Sequence, residues 1–281
     1  KNKQAKCNIK RRGTNADGIS SKKESLFKLL DDEKPSAFMI QETKLKREML
    51  ISSNDYHIYE NVRKNKGGGG IMIGIDKGLT DKEPVVIYRG NDEIEILVVE
   101  VSLNSINVRF MSAYGPQEEA NPEKINAFYQ KLEEEIVKCE EDDCGLIAEM
   151  DANAKLGSSL IKDDPHTMSE NGRLLWDVTQ RRNCLVVNTS VDCNGVITRS
   201  RIRNGKPEKS VLDYVIINQK VQPYLLQMTI DEKKEKVLTR FTKKKVVASD
   251  HNIITCNFNI PHRKPPQKRI EIMACLCAPS G

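Results

Sequence analysis

Short apolar runs recur along this chain, and several end on one polar residue. AFMIQE stops at Glu42, VRFMSAY at Tyr114 and GLIAEMD at Asp151. This pattern limits the fold more than any other feature, because runs this short suit buried strands rather than long core helices. None approaches the ~18 residues that a membrane helix needs, so no membrane partner is expected. Three helical patterns lie among the strands. Residues 21–33 carry Leu26, Leu29 and Leu30 on one stripe, with Ser21 and Glu24 at capping-box spacing and Pro35 as a stop. Asn121 and Pro122 open a second helix, buried through Ile125, Phe128, Tyr129, Leu132 and Ile136. A third, near 170–182, turns Leu174, Leu175 and Val178 inward. Helices between groups of neighbouring strands suggest an α/β chain of two sheets packed together and covered by helices.

At 281 residues, one large α/β domain can absorb the chain, and 38% hydrophobic with 30% charged residues is a globular composition. The start, KNKQAKCNIKRR, has no apolar core for a signal peptide. It has no initiator Met either, so a segment of a longer protein is expected. The eight Cys are irregularly spaced, and only Cys275 and Cys277 are close, which is weak evidence for zinc. Reduced thiols and an intracellular setting are the default. Residues 1–260 read as the folded domain, and the segment from Pro261 to 281 as a linker or disordered tail. The net charge is +5, with Lys and Arg crowded at 1–12, 199–209, 233–245 and 262–269. A basic run is usually only a solvated face, but four of them suggest a polyanion partner.

The polar residues at strand ends form the candidate site: Asn8, Glu42, Tyr114, Asp151, Asn153, Asp250 and His251. Asp213 joins them from inside the apolar VLDYVII, where a carboxylate is costly to bury without a partner. Ligands gather where a rigid sheet passes into loops. Asp151 and Asn153 share one face if the strand continues through them. They could equally form a hydrogen-bonded turn. Taken singly, Glu42 reads as an exposed strand end, Tyr114 as a core aromatic, His251 as a satisfied side chain and Asp213 as structural. GGGGIMIGI at 67–75 lacks the Gly-Lys-Ser/Thr of a phosphate loop, so its glycines read as turn and close packing.

The order Asn8, QETK, SAYGP, MDANAKLG, LDYV and SDHN resembles the endonuclease/exonuclease/phosphatase superfamily, the DNase I-like nucleases. The likeness runs from about residue 5 to 260. KGGGGIMIG and DANAKLG look most like the endonuclease domain of non-LTR retrotransposons. Met150 and Ala152 stand where the family usually has Gly and an aromatic. The resemblance implies a four-layer sandwich, two mostly antiparallel sheets packed face to face and flanked by helices. It also implies a nuclease that uses Mg²⁺, or Mn²⁺ in its place, on double-stranded DNA in the nucleus. A reverse transcriptase domain in the same parent polyprotein would extend the 3′-hydroxyl left by the nick. Glu42 would serve the metal, Asp151 would activate water, and Asn153 and Asn8 would hold the phosphate or the metal shell. Asp213 would orient His251, Tyr114 would bond the phosphate or leaving group, and Asp250 would assist the metal or the leaving group. An abasic-site repair nuclease, another phosphoesterase of the superfamily, and a domesticated copy that binds without cutting are the rival readings.

Asn204-Gly205, between two strand-like pieces, is the strongest short-range hairpin signal. Arg199, Arg201 and Arg203 alternate onto one face, and Lys206 follows the turn. Such a hairpin either protects a sheet edge or contacts a polyanion. The resemblance implies the second, a loop that reaches into the DNA groove.

Overall fold

The computed structural model describes residues 19, 22–45, 53–64, 67–103, 106–241, 246–260 and 270–274. In chain order the first elements are α1 (Lys23–Glu33), β1 (Ala37–Gln41), β2 (Tyr56–Asn61), β3 (Ile71–Asp76), β4 (Val85–Arg89), β5 (Glu95–Leu103) and β6 (Ile106–Tyr114). Then come α2 (Pro122–Glu141), β7 (Gly145–Asp151), α3 (Glu170–Arg181), β8 (Leu185–Val186), β9 (Cys193–Asn194), β10 (Arg199–Arg203) and β11 (Lys206–Ser210). The last are β12 (Asp213–Ile217), β13 (Leu225–Ile230), β14 (Thr239–Phe241), β15 (Val246–Ala248), β16 (Ile254–Phe258) and β17 (Ile270–Ala274).

One sheet has the order β2-β3-β1-β17-β16-β13-β9 and the other β4-β5-β6-β7-β12-β8. Pairing is antiparallel except at β1–β17, β9–β13 and β6–β7. Between the sheets lies a core that includes Met39, Ile73, Val99, Phe110, Ile147 and Val215. Leu26 and Leu30 of α1 pack on the outer face of the first sheet with Phe38, Ile40 and Met72. Phe128, Leu132 and Ile136 of α2, with Leu175 and Val178 of α3, cover the outer face of the second sheet. The result is helix, sheet, sheet, helix. With both faces covered, β1, β3 and β7 are buried at every position, which is why they read as continuous apolar runs. Each large apolar side chain so enclosed contributes about 1.5–3 kcal/mol.

The helices begin and end largely where their punctuation sits. Asn121 accepts from the Glu123 amide at 2.8 Å with Pro122 behind it. Lys34 closes α1 in the left-handed region just before Pro35. Lys22, which makes no side-chain cap, precedes α1, while Ser21 lies outside the described residues. Among the described residues, no helix is long and apolar enough to cross a membrane.

The tail reading fails for Ile270–Ala274. This segment is β17, parallel to β1 and antiparallel to β16. It occupies the middle of the first sheet, where its absence would leave two facing strand edges with unpaired amides and carbonyls. The rest of 261–281, with Cys275 and Cys277, lies outside the described residues.

Candidate active site

Adjacent strands of the second sheet line up the candidate residues. In the β6–β7 register Tyr114 is opposite Asp151, and in the β7–β12 register Asp151 is opposite Asp213. Ile147 and Val215 belong to the core between the sheets, and alternation puts Asp151 and Asp213 on that same face. The three side chains therefore form one row at the rim of the inter-sheet core. From the first sheet, Glu42 follows the last residue of β1, and the Tyr114 hydroxyl donates to its Oε1. Glu42 adopts φ 49°, in the left-handed region, and Lys44 Nζ lies 3.5 Å from its Oε2.

His251 closes the row. Its Nδ1 lies 2.9 and 3.0 Å from the two oxygens of Asp213, with side chains 3% and 0% exposed. Asp213 thus has the partner that an acid in VLDYVII requires. Its amide donates to Thr198 Oγ1 at 3.1 Å, and its carbonyl accepts from Asn188 Nδ2 at 3.0 Å. The next residue, Tyr214, is fully buried and ties down the loop after β7: its hydroxyl accepts from the Leu156 amide at 3.1 Å.

β7 ends at Asp151, so strand geometry does not continue to Asn153. Asn153 turns into the left-handed region at φ 46°, and its amide donates to Asp151 Oδ1 at 3.1 Å. Its side chain donates to the Gly115 carbonyl at 2.9 Å and accepts from Gln117 at 2.9 Å. The hydrogen-bonded turn is what keeps Asn153 beside the carboxylate. Gly115 is required there, because a Cβ would collide with the Ala152 carbonyl. Met150 and Ala152 are buried in the core beneath α2 and α3, away from the row. Asn8 lies outside the described residues.

Asp250 and the hairpin depart from a simple reading. Asn204 and Gly205 take φ 51° and 73°, as a tight hairpin turn demands, and Arg199, Arg201 and Arg203 share a face. Arg203 is the most exposed of the three. Arg201 pairs with Glu208 at 2.7 Å. Arg199, expected to face a polyanion, is instead turned inward, with Nε 2.8 Å from Asp250 Oδ2. Burial pushes the Asp250 carboxyl up, but His251 and Arg199 pull it further down, and the net direction is below the usual carboxylate range.

A second polar layer lies directly beneath the row and was missed in the sequence. Glu149, two residues before Asp151 on the same face, pairs in register with Ser112. Gln41 of β1 donates to Ser112 Oγ at 2.9 Å and to Glu149. Burial, followed by the charge of Asp213, raises the Glu149 carboxyl well above the ordinary range. The signal was present, since an acid at 149 interrupts an apolar run at the Asp151 spacing. Arg63 was missed as well: it pairs with Glu95 and sits 5.8 Å from the Tyr114 ring centroid. Nothing in the sequence joins residues 63, 95 and 114.

Asp151, Asp213 and His251 each offer a ligand atom, all within 4.8 Å of one another. Asp250 Oδ1 is buried with no hydrogen-bond partner. Two carboxylates and an imidazole this close offer the oxygen and nitrogen donors that a divalent cation takes. Asp213 is engaged by His251, which leaves Asp151 as the carboxylate of this cluster best able to hold one.

No protein-family model matches the chain, and no curated protein does. Solved structures do. The endonuclease domain of TRAS1, a telomere-specific non-LTR retrotransposon, shares 18% identity at a TM-score of 0.61, over 85% of this chain and 93% of that one. The 3′-5′ exonuclease NExo from Neisseria meningitidis shares 15% at 0.65, over 88% and 98%. The catalytic domain of Xenopus laevis APE2 shares 15% at 0.62, over 93% and 92%. The chain therefore has the DNase I-like α/β sandwich fold, the fold of the endonuclease/exonuclease/phosphatase superfamily.

Proposed function

We propose that this chain is a Mg²⁺-dependent endonuclease that nicks double-stranded DNA, with Mn²⁺ able to take the place of Mg²⁺. The observation that carries the reading is the row Tyr114, Asp151, Asp213, with His251 held at 2.9 Å by Asp213 and Glu42 facing it from the other sheet. Hydrolysis of a phosphodiester needs an activated water, neutralised phosphoryl oxygens and help for the leaving oxygen. Asp151 takes the proton of the attacking water while its oxygen bonds to phosphorus. The bond from phosphorus to the 3′ oxygen breaks and that oxygen takes a proton from solvent water, leaving a 3′-hydroxyl and a 5′-phosphate. His251, its ring plane fixed through Nδ1, presents Nε2 to a non-bridging oxygen. Tyr114 donates to the phosphate or the leaving group. Glu42, with Asp250 assisting, would hold a divalent ion, which would supply the remaining charge neutralisation. Arg203 and Lys206, exposed at the tip of the hairpin, engage the DNA backbone.

The motif likeness to non-LTR retrotransposon endonucleases, with the TRAS1 domain among the fold matches, supports a nick that primes reverse transcription. The partner would be a reverse transcriptase domain of the same parent polyprotein. A second reading, an abasic-site nuclease, is supported by an equally good fold match to an AP endonuclease from Archaeoglobus fulgidus, at a TM-score of 0.61 and 16% identity. Purified protein incubated with supercoiled plasmid and with an abasic duplex tests both. The first reading expects Mg²⁺-dependent nicking of intact plasmid, abolished by EDTA and lowered at least ~100-fold by Asp151→Asn. Preference for the abasic duplex selects the second. Wild-type activity in Asp151→Asn would refute the assigned site.

A further inference from the structure

The root of the hairpin is built into the site. Backbone pairing joins Arg199 to His251, the Ser200 amide donates to the Asp250 carbonyl at 2.8 Å, and the Asn252 amide donates to the Thr198 carbonyl at 2.7 Å. Asn252 Nδ2 adds a bond to the Ile197 carbonyl at 2.7 Å. Thr198 Oγ1, on the same short segment, accepts from the amides of Leu212 and Asp213 at 2.9 and 3.1 Å. Residues 197–200 thus form a seam between the strand that carries Asp213 and the turn that carries His251. Within that seam, the Arg199 guanidinium is a side-chain clamp on the turn: it reaches Asp250, and both side chains are largely buried, at 16% and 6% exposure. Lys234 holds the same turn from the other side through the carbonyls of Ser249 and Asp250, at 2.7 and 3.3 Å.

We propose that Arg199 is a positioning residue of the nuclease site rather than a DNA contact. Its ion pair with Asp250 fixes the Ser249–Asn252 turn and, through it, the His251 ring against Asp213. This inference rests on the proposed nuclease function. The hairpin then divides by function: its exposed tip, Arg203 and Lys206, meets the DNA, and its root aligns the imidazole. A backbone-contacting Arg would act on binding and on its salt dependence. A positioning Arg acts on turnover. The planar guanidinium donates through a fixed fork, so Lys is only a partial substitute.

The experiment compares Arg199→Gln, Arg199→Lys and Arg203→Ser by steady-state plasmid nicking, by DNA binding at several salt concentrations, and by NMR of the ¹⁵N-labelled histidine rings. The chain has four His, and His251→Ala assigns the resonance of interest. Arg199→Gln is expected to lower kcat about 10- to 100-fold, the worth of a charge-assisted hydrogen bond, with the salt slope unchanged. Arg199→Lys recovers part of that activity, and Arg203→Ser raises KM and flattens the salt slope. The His251 ring resonances shift in Arg199→Gln. A wild-type kcat with a flattened slope in Arg199→Gln would overturn the proposal, as would unmoved His251 resonances. If the wild-type protein cuts no DNA, the nuclease reading fails alone, and the His251 resonances still decide the role of Arg199. If Arg199→Gln fails to fold, Arg199→Lys carries the same measurements: a lowered kcat with shifted His251 resonances supports the proposal, and unmoved resonances overturn it.

Discussion

Asp213 and His251 should behave as one unit, and a double-mutant cycle measures whether they do. The two side chains meet at 2.9 and 3.0 Å with 0% and 3% exposure, so the contact is made away from water. A hydrogen bond to a charged group in such a setting is worth about 1.5–3 kcal/mol. At ~1.4 kcal/mol per factor of ten, Asp213→Asn should slow single-turnover plasmid nicking by about 10- to 150-fold. His251→Ala should cost more, since it removes the group proposed to meet the phosphate. With His251 gone, Asp213 has nothing left to orient, so the double variant should match His251→Ala within about threefold, as members of a catalytic unit do. Thermal unfolding provides a second reading of the same cycle. Asp213→Asn should destabilise the wild-type background but stabilise the His251→Ala background, where the carboxylate is otherwise buried without its partner. Rate reductions that multiply, together with equal destabilisation in both backgrounds, would refute the pairing as a functional unit.

Glu149→Gln tests the buried carboxyl beneath the row. With the folded carboxyl raised above the unfolded value of 4.5, wild-type stability should fall as pH rises from there toward the raised folded value. Gln does not titrate, so melting temperatures of the two proteins should coincide below pH ~4 and separate in favour of Glu149→Gln at higher pH; a constant gap would show that folding does not raise the Glu149 carboxyl. Tyr214→Phe removes the acceptor of the buried Leu156 amide and should cost about 1–3 kcal/mol in denaturant unfolding, whereas an unchanged midpoint would show that water replaces the hydroxyl. Replacing Arg203 and Lys206 together by Ser should reduce the slope of log affinity against log salt by up to about 0.9 for each phosphate that is no longer neutralised, and an unchanged slope would assign the hairpin to edge protection.

Much of the fold follows from local pattern. The Asn121-Pro122 helix start, the type of turn at Asn204-Gly205 and the buried faces of α2 and α3 depend on residues a few positions apart, so periodicity and capping chemistry determine them. The sequence also pointed to a partner for Asp213, because an acid inside an apolar strand is costly to bury alone. Tertiary structure decided which segments become neighbours. Only assembly of the sheet shows that Ile270–Ala274 lies between β1 and β16, because strand pairing is a contact between distant residues and a five-residue run in a proline-rich stretch carries no period of its own. The same holds for side chains that choose between solvent and a distant charge. Arg199 and Arg203 alternate identically in sequence, but only Arg199 is within reach of Asp250, 51 residues away, and that proximity separates the root of the hairpin from its tip.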